Sequence, residues 1–151
     1  MGNTLLEWAK ECFANDRYAT AATGAIIEWV QLAESCASVR CALRLHGDHR
    51  NARGAVMGGV FFTLADFACA IAMNLPDAAR RLQQSESGDD LYDLHWVSLS
   101  SNISFLAQPK GDSLVAQTRC IRHGRTTCLY EVEIVENERV VAVVTTNGIR
   151  I

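Results

Sequence analysis

The chain has 151 residues, 49% of them apolar and 21% charged, which is enough for one core and too little for a second, so residues 1–151 are expected to form a single domain. A net charge of −3 excludes recognition of nucleic acid through a broad basic surface, because phosphate binding requires many cationic contacts at once. The apolar run at residues 60–73 is short for a bilayer and carries Asp66 near its centre, and Glu7, Lys10 and Glu11 interrupt any secretory leader, so a cytoplasmic protein without a membrane partner is expected.

Residues 3–14 place Leu5, Trp8, Ala9 and Cys12 at i, i+3, i+4 and i+7, the spacing of a short amphipathic helix. Residues 25–45 are rich in Ile, Val, Leu and Trp, break at Ala33-Glu34-Ser35 and then alternate through Val39, Cys41, Leu43 and Leu45, which predicts a hairpin. Residues 55–74 are apolar nearly all round, with a small-residue stripe at Ala65, Cys69 and Ala72; a helix of that composition has to be covered on most sides. A polar connection is expected over residues 76–93, with its most solvated stretch at 85–90. Four strands follow, at 96–106, 113–122, 126–135 and 139–149, separated by Lys110-Gly111-Asp112, His123-Gly124-Arg125 and Glu136-Asn137-Glu138 as tight turns. This order suits an α+β architecture: an antiparallel sheet wrapped around one long central helix, plus the short N-terminal helix.

Six cysteines are present without a C-x-x-C pair, and buried free thiols are the expectation for a cytoplasmic chain. His46 and His49 form an H-x-x-H pair with no third ligand at a fitting spacing, so no metal site is expected.

Chemistry concentrates around the apolar helix. Gly58-Gly59 stand where it begins, and the first amide N–H groups of a helix lack internal partners and sit at its positive end, where they can hold an oxyanion; the Gly58 amide is the candidate donor. Asp66, inside Phe61-Phe62-Thr63-Leu64-Ala65-Asp66-Phe67, loses hydration unless paired or protonated, which suits a base or nucleophile. Eight residues of helix separate the two by about 12 Å. One chain therefore does not aim both at one carbonyl, whereas two copies related by a twofold axis, helices antiparallel, bring Asp66 of one toward Gly58 of the other. A homodimer with two shared sites is expected, alone or as a dimer of dimers.

Asn51, Gly54, Met57-Gly58-Gly59 and Leu64-Ala65-Asp66, followed by residues 97–106 and by His123-Gly124-Arg125-Thr126, resemble the PaaI-type acyl-CoA thioesterases of the hotdog superfamily. The resemblance implies a hotdog fold and hydrolysis of a CoA thioester, with Asp66 activating water, Ser98 helping to place it, and the Gly58 amide with Asn51 polarising the thioester carbonyl. It implies no cofactor beyond the coenzyme A carried by the substrate. Arg122, His123 and Arg125, at a turn beside the strands, are candidates to meet the CoA phosphates. Met57 departs from the pattern, standing where the family usually has histidine; a thioether neither titrates nor donates a hydrogen bond. Two other functions compete: a non-catalytic acyl-CoA binding or regulatory module, which Met57 motivates, and a hotdog dehydratase or hydratase, which needs a histidine and acid pair that the sequence does not offer.

Overall fold

The computed structural model describes residues 2–84 and 89–151. Helix α1 (Gly2–Phe13) is followed by one π-helical turn (Tyr18–Thr23), strands β1 (Ile26–Ala33) and β2 (Cys36–Arg44), helix α2 (Gly58–Gln83), and strands β3 (Trp96–Phe105), β4 (Ser113–His123), β5 (Thr127–Glu136) and β6 (Arg139–Arg150). The strands form one antiparallel sheet in the order β1-β2-β4-β5-β6-β3. It wraps α2, as in the hotdog fold that the resemblance implied. Alternation explains the inner face: Ala37, Val39, Cys41 and Leu43 of β2 and Cys128, Tyr130, Val132 and Ile134 of β5 are buried.

Helix α2 runs nine residues beyond the expected end at residue 74, so residues 76–83 are helix and not connection. Its length and composition would suffice for a bilayer, yet 67% of its most apolar window is buried inside the protein. Pro76 lies within it. A helical proline has no N–H for the carbonyl four residues back, here Ala72. Tyr130, on β5, sends its hydroxyl to the Ala72 oxygen at 3.4 Å, giving that buried carbonyl a substitute donor. Two positions earlier, Asn74 bonds the Ala70 and Trp96 carbonyls through Nδ2 (2.9 and 3.1 Å) and accepts from the His95 and Trp96 amides through Oδ1 (3.1 and 3.0 Å). The start of β3 is thereby pinned to the helix. Of the stretch expected to be most solvated, residues 85–88 lie outside the described residues, and 89–92 form a 3-10 turn.

The free-thiol expectation requires a correction. Cys36 and Cys120 form a disulfide, with Cα atoms 5.6 Å apart, a spacing that suits such a bond. They are 84 residues apart, and only the pairing of β2 with β4 makes them neighbours. Cys12, Cys41, Cys69 and Cys128 are free, the last three buried.

Candidate active site

Asp66 projects from the middle of α2 into a cleft of about 450 Å³, walled by the end of α1, one face of α2 and the start of β3. Phe13, Ala70, Met73, Leu94 and Trp96 line most of it, with Asn15, Asp16 and Asn74 as polar members. Asp66, Ala70, Met73 and Asn74 are spaced i, i+4, i+7 and i+8, so they share one helix face. Helix α1 reaches the cleft because it is tied down at two points. Trp8 Nε1 donates to the Leu91 carbonyl at 2.9 Å, and Tyr92 donates to Glu11 at 2.6 Å.

Ser98 donates from Oγ to Asp66 Oδ1 at 3.2 Å. Strict alternation along β3 would set Ser98 and Trp96 on the face opposite Ile103 and Phe105. A bulge between Ser98 and Ser100 removes the conflict: Ser98 pairs with Gly148 while Ser100 pairs with Asn147, leaving Leu99 as the extra residue. Before the bulge, Trp96 and Ser98 turn toward α2. Beyond it, Ser101 meets the buried Thr146 hydroxyl at 2.8 Å, and Phe105 packs on Phe61 with ring centroids 5.8 Å apart. Asp66 is exposed in the single chain, yet the partial desolvation of the cleft raises its carboxyl above the ordinary value, the Ser98 hydrogen bond pulls it back, and the negative charge of Asp16 pushes it up again. A carboxylate shifted in that direction is a stronger proton acceptor.

Gly58 and Asn51 lie elsewhere. Gly58 opens α2 behind the exposed Met57; a Cβ there would stand 2.8 Å from the tip of the exposed Phe105 ring and would have to displace it. Asn51 Oδ1 accepts from the Arg53 and Ala55 amides at 2.9 and 3.2 Å, folding the loop before the helix into a local turn. That loop is anchored by buried His49. Its Nε2 lies 2.8 Å from the Thr23 carbonyl, its Nδ1 accepts from the His46 amide at 3.1 Å, and its carbonyl accepts from the Met57 amide at 2.9 Å. Both ring nitrogens are thus engaged within the protein. Among the described residues, no group of three His, Cys, Asp or Glu side chains is arranged to hold a metal.

Arg122, His123 and Arg125 sit on the β4-β5 hairpin. Arg122 and Arg125 are exposed, whereas His123 is half-buried, its ring 4.5 Å from that of Trp96 and its Nδ1 2.9 Å from the Tyr130 hydroxyl. Burial lowers its titration below the ordinary imidazole value; Asp77 opposes this shift, and Arg150 and Arg80 reinforce it. Asp77, itself buried, pairs with Arg80 and with Arg150 at 3.1 Å. A single chain therefore brings Asp66 and Ser98 together, leaves Gly58 about 12 Å away along α2, and brings His123 as far as Trp96 in the cleft wall. Sequence reasoning missed Asn74, Phe13 and Asp16. Asn74 had a usable signal, a polar side chain inside an apolar helix, while the other two depend on how α1 docks.

Residues 53–143 match the thioesterase superfamily, which is more than half of the chain. No curated protein matches it. Among solved structures, the PaaI protein of the E. coli phenylacetic acid degradation operon is 21% identical, with a TM-score of 0.76 over 100% of this chain and 96% of that one. A hypothetical thioesterase from Streptococcus pneumoniae, solved with coenzyme A, is 22% identical, with a TM-score of 0.68 over 92% and 96%. A mutant form of the phenylacetic acid degradation protein PaaI from Thermus thermophilus is 23% identical, with a TM-score of 0.67 over 87% and 97%. At these identities the likeness speaks for the fold, and the sequence match speaks for the family. By its hotdog fold and by the match over residues 53–143, the chain belongs to the thioesterase superfamily.

Proposed function

We propose that this chain hydrolyses an acyl-CoA thioester at sites shared between two copies of itself. The observation that carries the reading is the Ser98-Asp66 pair, 3.2 Å apart in a largely apolar cleft. In this mechanism Asp66 accepts a proton from a water held by Ser98, and the water oxygen bonds to the acyl carbon. The carbonyl oxygen becomes an oxyanion that the Gly58 amide and Asn51 of the second copy stabilise. Collapse breaks the carbon–sulfur bond, and the proton returns from Asp66 to the leaving CoA thiolate. The coenzyme A in the Streptococcus pneumoniae structure supports a CoA ester as the substrate, and Arg122, His123 and Arg125 are the side chains proposed to meet its phosphates.

The separation of positions 58 and 66, about 12 Å along one helix, supports sharing. Strand β3 supports the assembly: β6 pairs with it on one side, it ends the sheet on the other, and it exposes Val97, Leu99 and Phe105. A long apolar edge of this kind invites pairing with a second copy. The test is thiol release across short, long and aromatic acyl-CoAs. The wild type turns over at least one of them, and Asp66→Asn loses about 10²–10⁴-fold in kcat; full turnover by Asp66→Asn contradicts the proposal. The exposed thioether of Met57, 56% accessible at the mouth of the helix, favours a second reading, a module that binds acyl-CoA without cleaving it. Tight binding of the whole panel with no thiol release would establish that reading instead.

A further inference from the structure

The cleft that holds Asp66 has a second carboxylate in its wall. Asp16 follows the end of α1, its amide bonded to the Phe13 carbonyl at 3.1 Å, and its Oδ1 accepts from the Ala19 amide in the π-helical turn at 3.4 Å. These bonds hold the solvent-exposed side chain in the wall of the cleft that contains Asp66. The rest of the wall is mostly apolar, and none of the described residues lining the cleft is Lys, Arg or His. A substrate with its thioester at Asp66 and its acyl group in this cleft lies along Ala70, Met73 and Trp96, beside Asp16. An uncharged acyl group gains apolar burial there. One ending in a carboxylate gives up hydration in a site that offers no cation among the described residues and faces a fixed negative charge.

We propose that Asp16 is a specificity residue that makes the cleft accept uncharged acyl groups and reject acyl groups that end in a carboxylate. The inference rests on the acyl-CoA reading above, and the experiment separates the two. Steady-state rates are measured on hexanoyl-CoA and on adipoyl-CoA, its ω-carboxylate counterpart, with wild type, Asp16→Asn and Asp16→Ser. Binding of the matching non-hydrolysable thioether analogues is measured in parallel. Wild type prefers the neutral ester. Asp16→Asn and Asp16→Ser narrow that preference by about tenfold, the size expected for removing one like charge at close range in a partly hydrated site. The change lies chiefly in the KM for adipoyl-CoA, any effect of Asp16 on Asp66 falls on both esters alike and cancels in their ratio, and the wild-type preference weakens as salt rises, because mobile ions screen the repulsion. A preference that neither variant moves, while hexanoyl-CoA is hydrolysed, overturns the role of Asp16 and leaves the hydrolase reading intact. If no ester is cleaved, the hydrolase reading fails, and the analogues decide the matter: tighter binding of the neutral one, narrowed in the variants, sustains the filter, and equal binding overturns it.

Discussion

At the residue scale, the position of Ser98 makes a prediction about pH. Asp66 works as a base only when ionised, and its carboxyl is raised by the partial desolvation of the cleft, with the Ser98 hydrogen bond acting in the opposite direction. Removing the hydroxyl takes away a group that favours the charged form. Ser98→Ala should therefore move the acid limb of the kcat profile to higher pH and reduce the rate most at the acid end. An unmoved limb would mean that Ser98 does not act on the carboxylate. The presence of Ser98 at Asp66 follows from one residue, Leu99, inserted in β3 as a bulge. Alternation alone predicts the opposite face for Ser98, and a bulge leaves little trace in a sequence of serines.

At the element scale, α2 shows how much was legible in the sequence and where reading stopped. Its apolar circumference and the placement of Asp66 were readable, because periodicity and composition are local properties, while its start, expected at residue 55, lies at Gly58. The strand limits were equally readable, to within a residue or two, and Asn137 and Glu138 adopt φ of 47° and 68° in a tight turn of the kind expected there; the tight turn expected at Lys110-Gly111-Asp112 is instead part of a crossover, because β3 pairs with β6 while β4 pairs with β2 and β5. The far end of the helix was not readable. Pro76 reads as a break because a helical proline costs about 3 kcal/mol, and part of that cost is offset by the Tyr130 hydroxyl, 58 positions from Ala72. Tyr130→Phe removes the donor to the Ala72 carbonyl and the partner of His123, and is expected to destabilise the fold by about 1–3 kcal/mol. Urea denaturation measures this; an unchanged midpoint would show that the freed carbonyl needs no donor.

At the scale of the whole molecule, long-range links tie the sheet and helices into one body, and these were the features hidden from sequence. The Cys36-Cys120 bond joins β2 to β4 across 84 residues, and closing so large a loop contributes up to about 4–5 kcal/mol in the chain-entropy description. The double variant Cys36→Ser/Cys120→Ser should unfold at lower urea than the oxidised wild type, and equal midpoints would show that the bond contributes nothing. Among the free thiols, burial pushes Cys69 up to about 12 and Cys128 up to about 11, so neither is a nucleophile at neutral pH. The proposed site is also a property of the whole: in that mechanism Asp66 and Ser98 supply the attacking water, Gly58 and Asn51 polarise the carbonyl, and neither pair does both alone.

Subunit complementation tests that arrangement most directly. Asp66→Asn lacks the base and Asn51→Ala lacks a carbonyl-polarising side chain, so each purified alone should be nearly inactive on the best acyl-CoA. Unfolding and refolding an equal mixture pairs them at random, half of the dimers become mixed, and each mixed dimer holds one intact shared site, so about a quarter of wild-type activity should return. A refolded mixture no more active than its two parents would contradict the shared-site account.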